Sequence, residues 1–123
     1  MVARILVVDD NAMMRTVMRV PLERAGHEVT VAGDGESALK AVAGAAAFDL
    51  IITDIHMPRM GGVDLVHALR KSQSSAKVLV ISGHVEGPEL QSMTSTKTLG
   101  ADGALEKPFT ADRLVTKVAE LLG

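Results

Sequence analysis

Short runs of apolar residues recur along the chain, separated by stretches of helical period. Ile5-Leu6-Val7-Val8, Leu50-Ile51-Ile52, Val78-Leu79-Val80-Ile81 and Ala104-Leu105 are continuous, as strands buried on both faces are. Glu28-Val29-Thr30-Val31-Ala32 alternates instead, which fits an edge strand with one wet face. Met14, Val17, Met18, Leu22 and Ala25 mark an amphipathic helix over residues 12 to 25, capped by Asn11 and closed by Gly26. The methionines are read as core filler. Pro21 lies inside it and removes one backbone donor, so a bend is expected near Val17. Asp34-Gly35 reads as a turn, followed by a second helix from about 36 to 46 that Gly44 weakens. Val63, Leu65, Val66 and Leu69 predict a third helix, ended by the Ser-rich stretch 72–75. Residues 87–99 form a fourth, polar and poor in propensity. Gly100 to Gly103 reads as a turn. Thr110 caps a last helix that carries Leu114, Val118, Leu121 and Leu122.

Strand and helix thus alternate five times. With short connections and right-handed crossovers, that order predicts an α/β sandwich around a parallel sheet. A single domain spanning 1–123 is expected. Hydrophobic residues make up 47 % of the chain, enough for one core, and there is no cysteine for disulfides or thiolate metal sites. A formal net charge of −2 gives no basic field for nucleic acid. Phe48 and Phe109 are the only aromatic residues, which argues further against base stacking. No apolar run reaches the length of a membrane span and no signal peptide precedes the first strand, so a soluble, cytoplasmic protein is expected.

The chemistry gathers where the strands end. The first strand ends in Asp9 and Asp10, the third in Asp54, the fourth in Ser82 and the fifth in Lys107. In open parallel sheets that edge is where ligands bind. Three carboxylates there would repel one another and raise each other's pKa. A hard divalent cation relieves the repulsion, and oxygen ligands suit Mg²⁺. Lys107 adds positive charge and Ser82 a donor. The set is suited to holding a dianionic phosphoryl group on or beside a carboxylate, and an aspartate can itself be the nucleophile.

Five segments carry a family likeness: Val7-Val8-Asp9-Asp10-Asn11, Asp34 to Leu39, Thr53-Asp54-Ile55-His56-Met57-Pro58, Val80-Ile81-Ser82-Gly83 and Lys107-Pro108-Phe109. As a spaced set they resemble the receiver domain of bacterial response regulators. The resemblance implies a flavodoxin-like three-layer sandwich with five helices and strand order 2-1-3-4-5. It implies that Asp54 takes a phosphoryl group from a phosphohistidine on a histidine kinase or histidine phosphotransfer protein. Asp10, Asp54 and the backbone carbonyl of His56 would bind Mg²⁺, with Asp9 acting through bound water. Lys107 would pair with phosphoryl oxygens and Ser82 would move onto one of them. Such a chain is a signalling switch rather than a turnover enzyme, either free-standing or part of a hybrid histidine kinase. It is expected to be a monomer or weak dimer, meeting an output protein through the fourth helix, fifth strand and fifth helix.

One departure bears on switching. Family members often carry an aromatic residue three before the lysine, whereas this chain has Ala104, which has no rotamer to change. Change is therefore expected in the loop after Ser82 and in the polar fourth helix. His56 and His84 lie two residues past Asp54 and Ser82, and both are expected to tune dephosphorylation, since imidazole titrates near neutrality. His27 and His67 are read as surface residues. Two other classes fit less well. A Mg²⁺-dependent phosphatase with an aspartyl nucleophile usually places that residue at the end of the first strand, with an acid two positions on. A flavodoxin-like cofactor binder needs a phosphate loop after the first strand and an aromatic partner for the flavin.

Overall fold

The computed structural model describes residues 2–44, 47–54, 65, 67–69, 76–82 and 101–123. Five parallel strands form one sheet in the order β2-β1-β3-β4-β5: β1 (Arg4–Val8), β2 (Glu28–Ala32), β3 (Leu50–Asp54), β4 (Lys77–Ser82) and β5 (Gly103–Glu106). Helices α1 (Ala12–Arg24) and α2 (Gly35–Ala43) and a C-terminal helix (Ala111–Leu122) pack on it. Leu65 and residues 67–69 are helical as well, where the third helix is expected. The expected fourth helix, with the loops carrying His56 and His84, lies outside the described residues.

The sheet has two apolar faces because side chains alternate along each strand. Leu6, Val8, Ile51, Val78 and Val80 face α2 and the helical Leu65 and Leu69. Ile5, Val7, Leu50, Ile52, Leu79 and Ile81 face Met18 and Leu22 of α1 and Leu114 and Val118 of the C-terminal helix. The three layers follow from these two clusters.

Local chemistry starts and stops the helices. Asn11 Oδ1 accepts from the N–H groups of Met13 and Met14 at 2.9 and 3.1 Å, and Thr110 Oγ1 accepts from Arg113 N–H at 3.1 Å. Asp34 is also a cap: its Oδ1 accepts from Ser37 N–H at 2.7 Å, and Gly35 is already helical. The Asp-Gly pair therefore starts α2 rather than making an independent turn. Helix α1 runs unbroken through Pro21 to Arg24, and Gly26, at φ +97°, closes it in the left-handed region. Met18 and Leu22 are its buried residues; Val17 is 47 % exposed, so the buried stripe is narrower than the apolar pattern predicts.

Three further expectations change. Gly103 belongs to β5, not to a turn. A Cβ there would lie 3.2 Å from both methyl carbons of Leu121, so the bare backbone lets the C-terminal helix approach the sheet. His27 is half-buried, and its Nδ1 accepts from Ala3 N–H at 3.1 Å, so it ties the α1–β2 corner to β1. The edge strand β2 does not alternate cleanly: Val31 is 42 % exposed, and only Ala32 is fully covered.

Burial predicts where truncation hurts. Ile52→Ala, on the central strand, should cost about 2–5 kcal/mol through lost contacts and a cavity. Val31→Ala should cost under about 1 kcal/mol, since little buried area is removed. Urea unfolding should read both as shifts in midpoint at unchanged slope.

Candidate functional site

Register brings the strand-end residues together. Val8 pairs with Thr53, so Asp9 comes level with Asp54. Asp54 pairs with Ile81, which places Ser82 one step further. Ser82 pairs with Glu106, and Lys107 follows. All lie at the C-terminal edge of the sheet.

The side chains of Asp9, Asp10, Asp54 and Lys107 converge there. Carboxylate oxygens of the three aspartates lie within 4.8 Å of one another. Lys107 Nζ sits 3.0 Å from Asp54 Oδ2 and 3.8 Å from Asp9 Oδ2. Asp9 and Asp54 are buried, at 1 % and 6 % exposure, whereas Asp10 is open to solvent. Ser82, half-buried, is tied to the site through its backbone: its carbonyl accepts from Lys107 N–H at 2.7 Å. Thr53 Oγ1 donates to the Asp54 carbonyl at 3.0 Å and fixes the last peptide of β3.

Asp9 is the strained member. Its Oδ1 accepts from Asn11 N–H at 2.9 Å. Its Oδ2 is buried without a hydrogen-bond partner among the described residues. Burial pushes its carboxyl above the usual range; the Asn11 N–H pulls it back, the Asp54 charge raises it, Lys107 lowers it and Asp10 raises it least. Mutual repulsion is therefore secondary to desolvation here. A buried acceptor lacking a donor, beside two other hard oxygen donors, suits a divalent cation of the Mg²⁺ type.

Sequence reasoning missed Arg15. Its Nη1 donates to the Asp9 carbonyl at 2.7 Å. The signal was present: Arg15, Met18 and Leu22 fall at helical spacing on one stripe, and an arginine in line with core residues needs an acceptor.

The chain matches the family model of the response regulator receiver domain over residues 5–119. Among known proteins it is 36 % identical to the CAI-1 autoinducer sensor kinase/phosphatase CqsS of Vibrio cholerae over 94 % of this chain and 17 % of that one. It is 34 % identical to the transcriptional regulatory protein FixJ of Bradyrhizobium diazoefficiens over 93 % and 54 %. The chain thus spans about half or less of the length of these curated relatives. Among solved structures, the chemotaxis protein CheY4 of Vibrio cholerae superposes with a TM-score of 0.86 at 33 % identity, covering 98 % of this chain and 99 % of that one. NtrX of Brucella abortus gives 0.89 at 35 % identity, covering 99 % and 27 %.

The position of Asp9 sets a pH dependence. A carboxyl raised in the folded state favours folding while protonated, and that contribution is lost as pH rises through its folded pKa. Without metal, Asp9→Asn should therefore melt higher than the parent at pH 7, by roughly 3–6 °C. The difference should close as pH falls below about 3.9, where Asp9 is neutral in both states. Asp10→Asn should gain less, since Asp10 is exposed. Thermal scans across pH check both.

Proposed function

The chain belongs to the response regulator receiver domain family, and from that premise we propose that Asp54 is the phosphoacceptor of a two-component or phosphorelay switch. The observation that carries the reading is Asp54 itself. It is a buried carboxylate at the end of the central strand, with Lys107 Nζ at 3.0 Å and two further aspartates within 4.8 Å.

In the proposed step a carboxylate oxygen of Asp54 attacks the phosphorus of a phosphohistidine. The P–O bond forms, the N–P bond breaks, and the imidazole leaves, taking a proton from solvent. Lys107 neutralises charge on the incoming phosphoryl oxygens, and the low exposure of Asp54 makes that cation count for more than it would in water. Asp9, Asp10 and Asp54 are the residues that would hold Mg²⁺, with the carbonyl of His56, which lies outside the described residues. Bound there, the cation supplies electrostatic shielding between phosphoryl and carboxylate oxygens. Ser82 orients a phosphoryl oxygen, and His56 and His84 adjust the lifetime of the acyl phosphate.

The donor is a protein, a histidine kinase or phosphotransfer protein. A mostly apolar groove of about 440 Å³ opens beside the site, lined by Met14, Val17, Lys107, Pro108 and Phe109. Met13, 75 % exposed, projects from the same helix. These surfaces support a helical partner approaching along α1. The proposed output face is formed by β5 and the C-terminal helix together with residues 87–99, which lie outside the described residues. A second groove of about 300 Å³ there is lined by Leu105, Arg113, Lys117 and Glu120 among others.

Incubation with Mg²⁺ and a small phosphodonor tests the reading. The parent should gain one labile phosphoryl group per chain and then stop, whereas a phosphatase would release phosphate many times over. Asp54→Asn should lose labelling by at least about 100-fold, since the amide keeps the shape and removes the nucleophile. Equal labelling of that variant would reject Asp54 as acceptor.

A further inference from the structure

The peptide that joins Asp9 to Asp10 is held from outside the acid cluster. Arg15 Nη1 donates to its carbonyl oxygen at 2.7 Å, a short, charge-assisted bond. Asp9 is also fixed by its own N–H, which donates to the Ala32 carbonyl at 3.1 Å, and by Oδ1, which accepts from Asn11 N–H. Asp10 differs. It is solvent-exposed, so the direction of its carboxylate rests chiefly on its backbone. Rotation of the Asp9–Asp10 peptide plane would swing Asp10 away from Asp9 and Asp54.

The guanidinium has a berth suited to this task. Arg15 is half-buried and rises from α1 on the stripe of Met18 and Leu22. Across from it is Gly33, in the β2–α2 connection. A Cβ at Gly33 would lie 3.4 Å from Nη1, at van der Waals contact, so the planar group packs directly beside the backbone of that connection. One side chain thereby bridges α1, the end of β1 and the start of the β2–α2 connection.

We infer that Arg15 is a positioning residue of the acid cluster, locking the Asp9–Asp10 peptide so that Asp9, Asp10 and Asp54 stay within reach of one divalent cation. This rests on the cluster being a Mg²⁺ site. The sign of the effect separates positioning from simple charge. Arg15 is itself a cation and by Coulomb's law alone opposes Mg²⁺. A charge effect therefore predicts tighter Mg²⁺ binding once Arg15 is removed, and a positioning role predicts weaker binding.

The test uses the full chain and Mg²⁺ alone. The thermal midpoint is followed against Mg²⁺ concentration to give an apparent dissociation constant, in the parent, Arg15→Met, Arg15→Lys and Asp10→Asn. Arg15→Met should weaken Mg²⁺ by about 10-fold, the scale of losing an outer support of a ligand. Arg15→Lys, which restores a cationic donor, should recover to within about threefold of the parent. An unchanged or tighter constant in Arg15→Met overturns the inference. So does a lower metal-free midpoint with an unchanged constant, the mark of a merely structural arginine. Should Arg15→Met fail to fold, Arg15→Gln, whose shorter stem retracts the donor, carries the same expectation and the same reversal. If Asp10→Asn loses the Mg²⁺ response while Arg15→Met keeps it, only the role of Arg15 falls. A parent that does not respond to Mg²⁺ rejects the metal site, and the positioning role with it.

Discussion

Burying a carboxylate without a full set of donors is costly, and the C-terminal edge of this sheet is built around that cost. Asp9 is almost wholly buried, with one oxygen lacking a hydrogen-bond partner among the described residues. Acids at the opposite edge are treated differently. Asp49, before β3, accepts from Arg4 N–H at 2.8 Å through its side chain. Asp102, before β5, accepts from Val78 N–H at 2.8 Å in the same way. Those two carboxylates satisfy backbone donors and secure the starts of strands. At the other edge, among the described residues, the acids face one another and Lys107, so the stability they cost becomes affinity for positive charge.

Much of the fold was legible because β1, β3 and β4 are dense apolar runs, and a run buried on both faces has few alternative readings. The helix caps at Asn11 and Thr110 were legible for the same reason, since short polar side chains before an apolar period have one favourable use. Where the reading failed, one residue type served two ends. Asp-Gly makes turns, but an aspartate also caps, and the helical residues after Gly35 decide between them. Gly103 looked like part of a turn because the sequence does not carry the approach of Leu121. His27 looked like a surface residue because its partner, the N–H of Ala3, lies 24 positions away.

The site was legible for a different reason. Asp9, Asp10, Asp54, Ser82 and Lys107 each sit just past an apolar run or at its end, and in a parallel sheet all such ends point the same way. Counting from the ends of the runs was enough to assemble the cluster. What could not be counted was rank. Repulsion among three acids seemed the main force, yet burial acts on Asp9 more strongly than its acidic neighbours do. Burial depends on the helices covering the edge, which the run pattern does not weigh. Arg15 escaped for a related reason: its place on the stripe of Met18 and Leu22 marks a need for an acceptor, but the acceptor is a backbone carbonyl, and which carbonyl it is leaves no mark in a sequence.

Topology explains why the cluster lies between β1 and β3 rather than elsewhere along the edge. Strand order reverses there, because β2 flanks β1 on one side and β3 begins the run toward β5 on the other. After β1 the chain enters α1, whose Met18 and Leu22 pack with the C-terminal helix on one face. After β3 it reaches Leu65 and Leu69, which pack with α2 on the opposite face. Two connections that leave adjacent strands toward opposite faces must diverge, and the divergence opens a crevice over the strand ends. Asp9 and Asp54 stand on its two sides, level in register. Between β3 and β4 no such reversal occurs, and an acid pair there would not stand at a switch point. The charge that costs stability is thus placed where the chain path itself leaves room for a ligand.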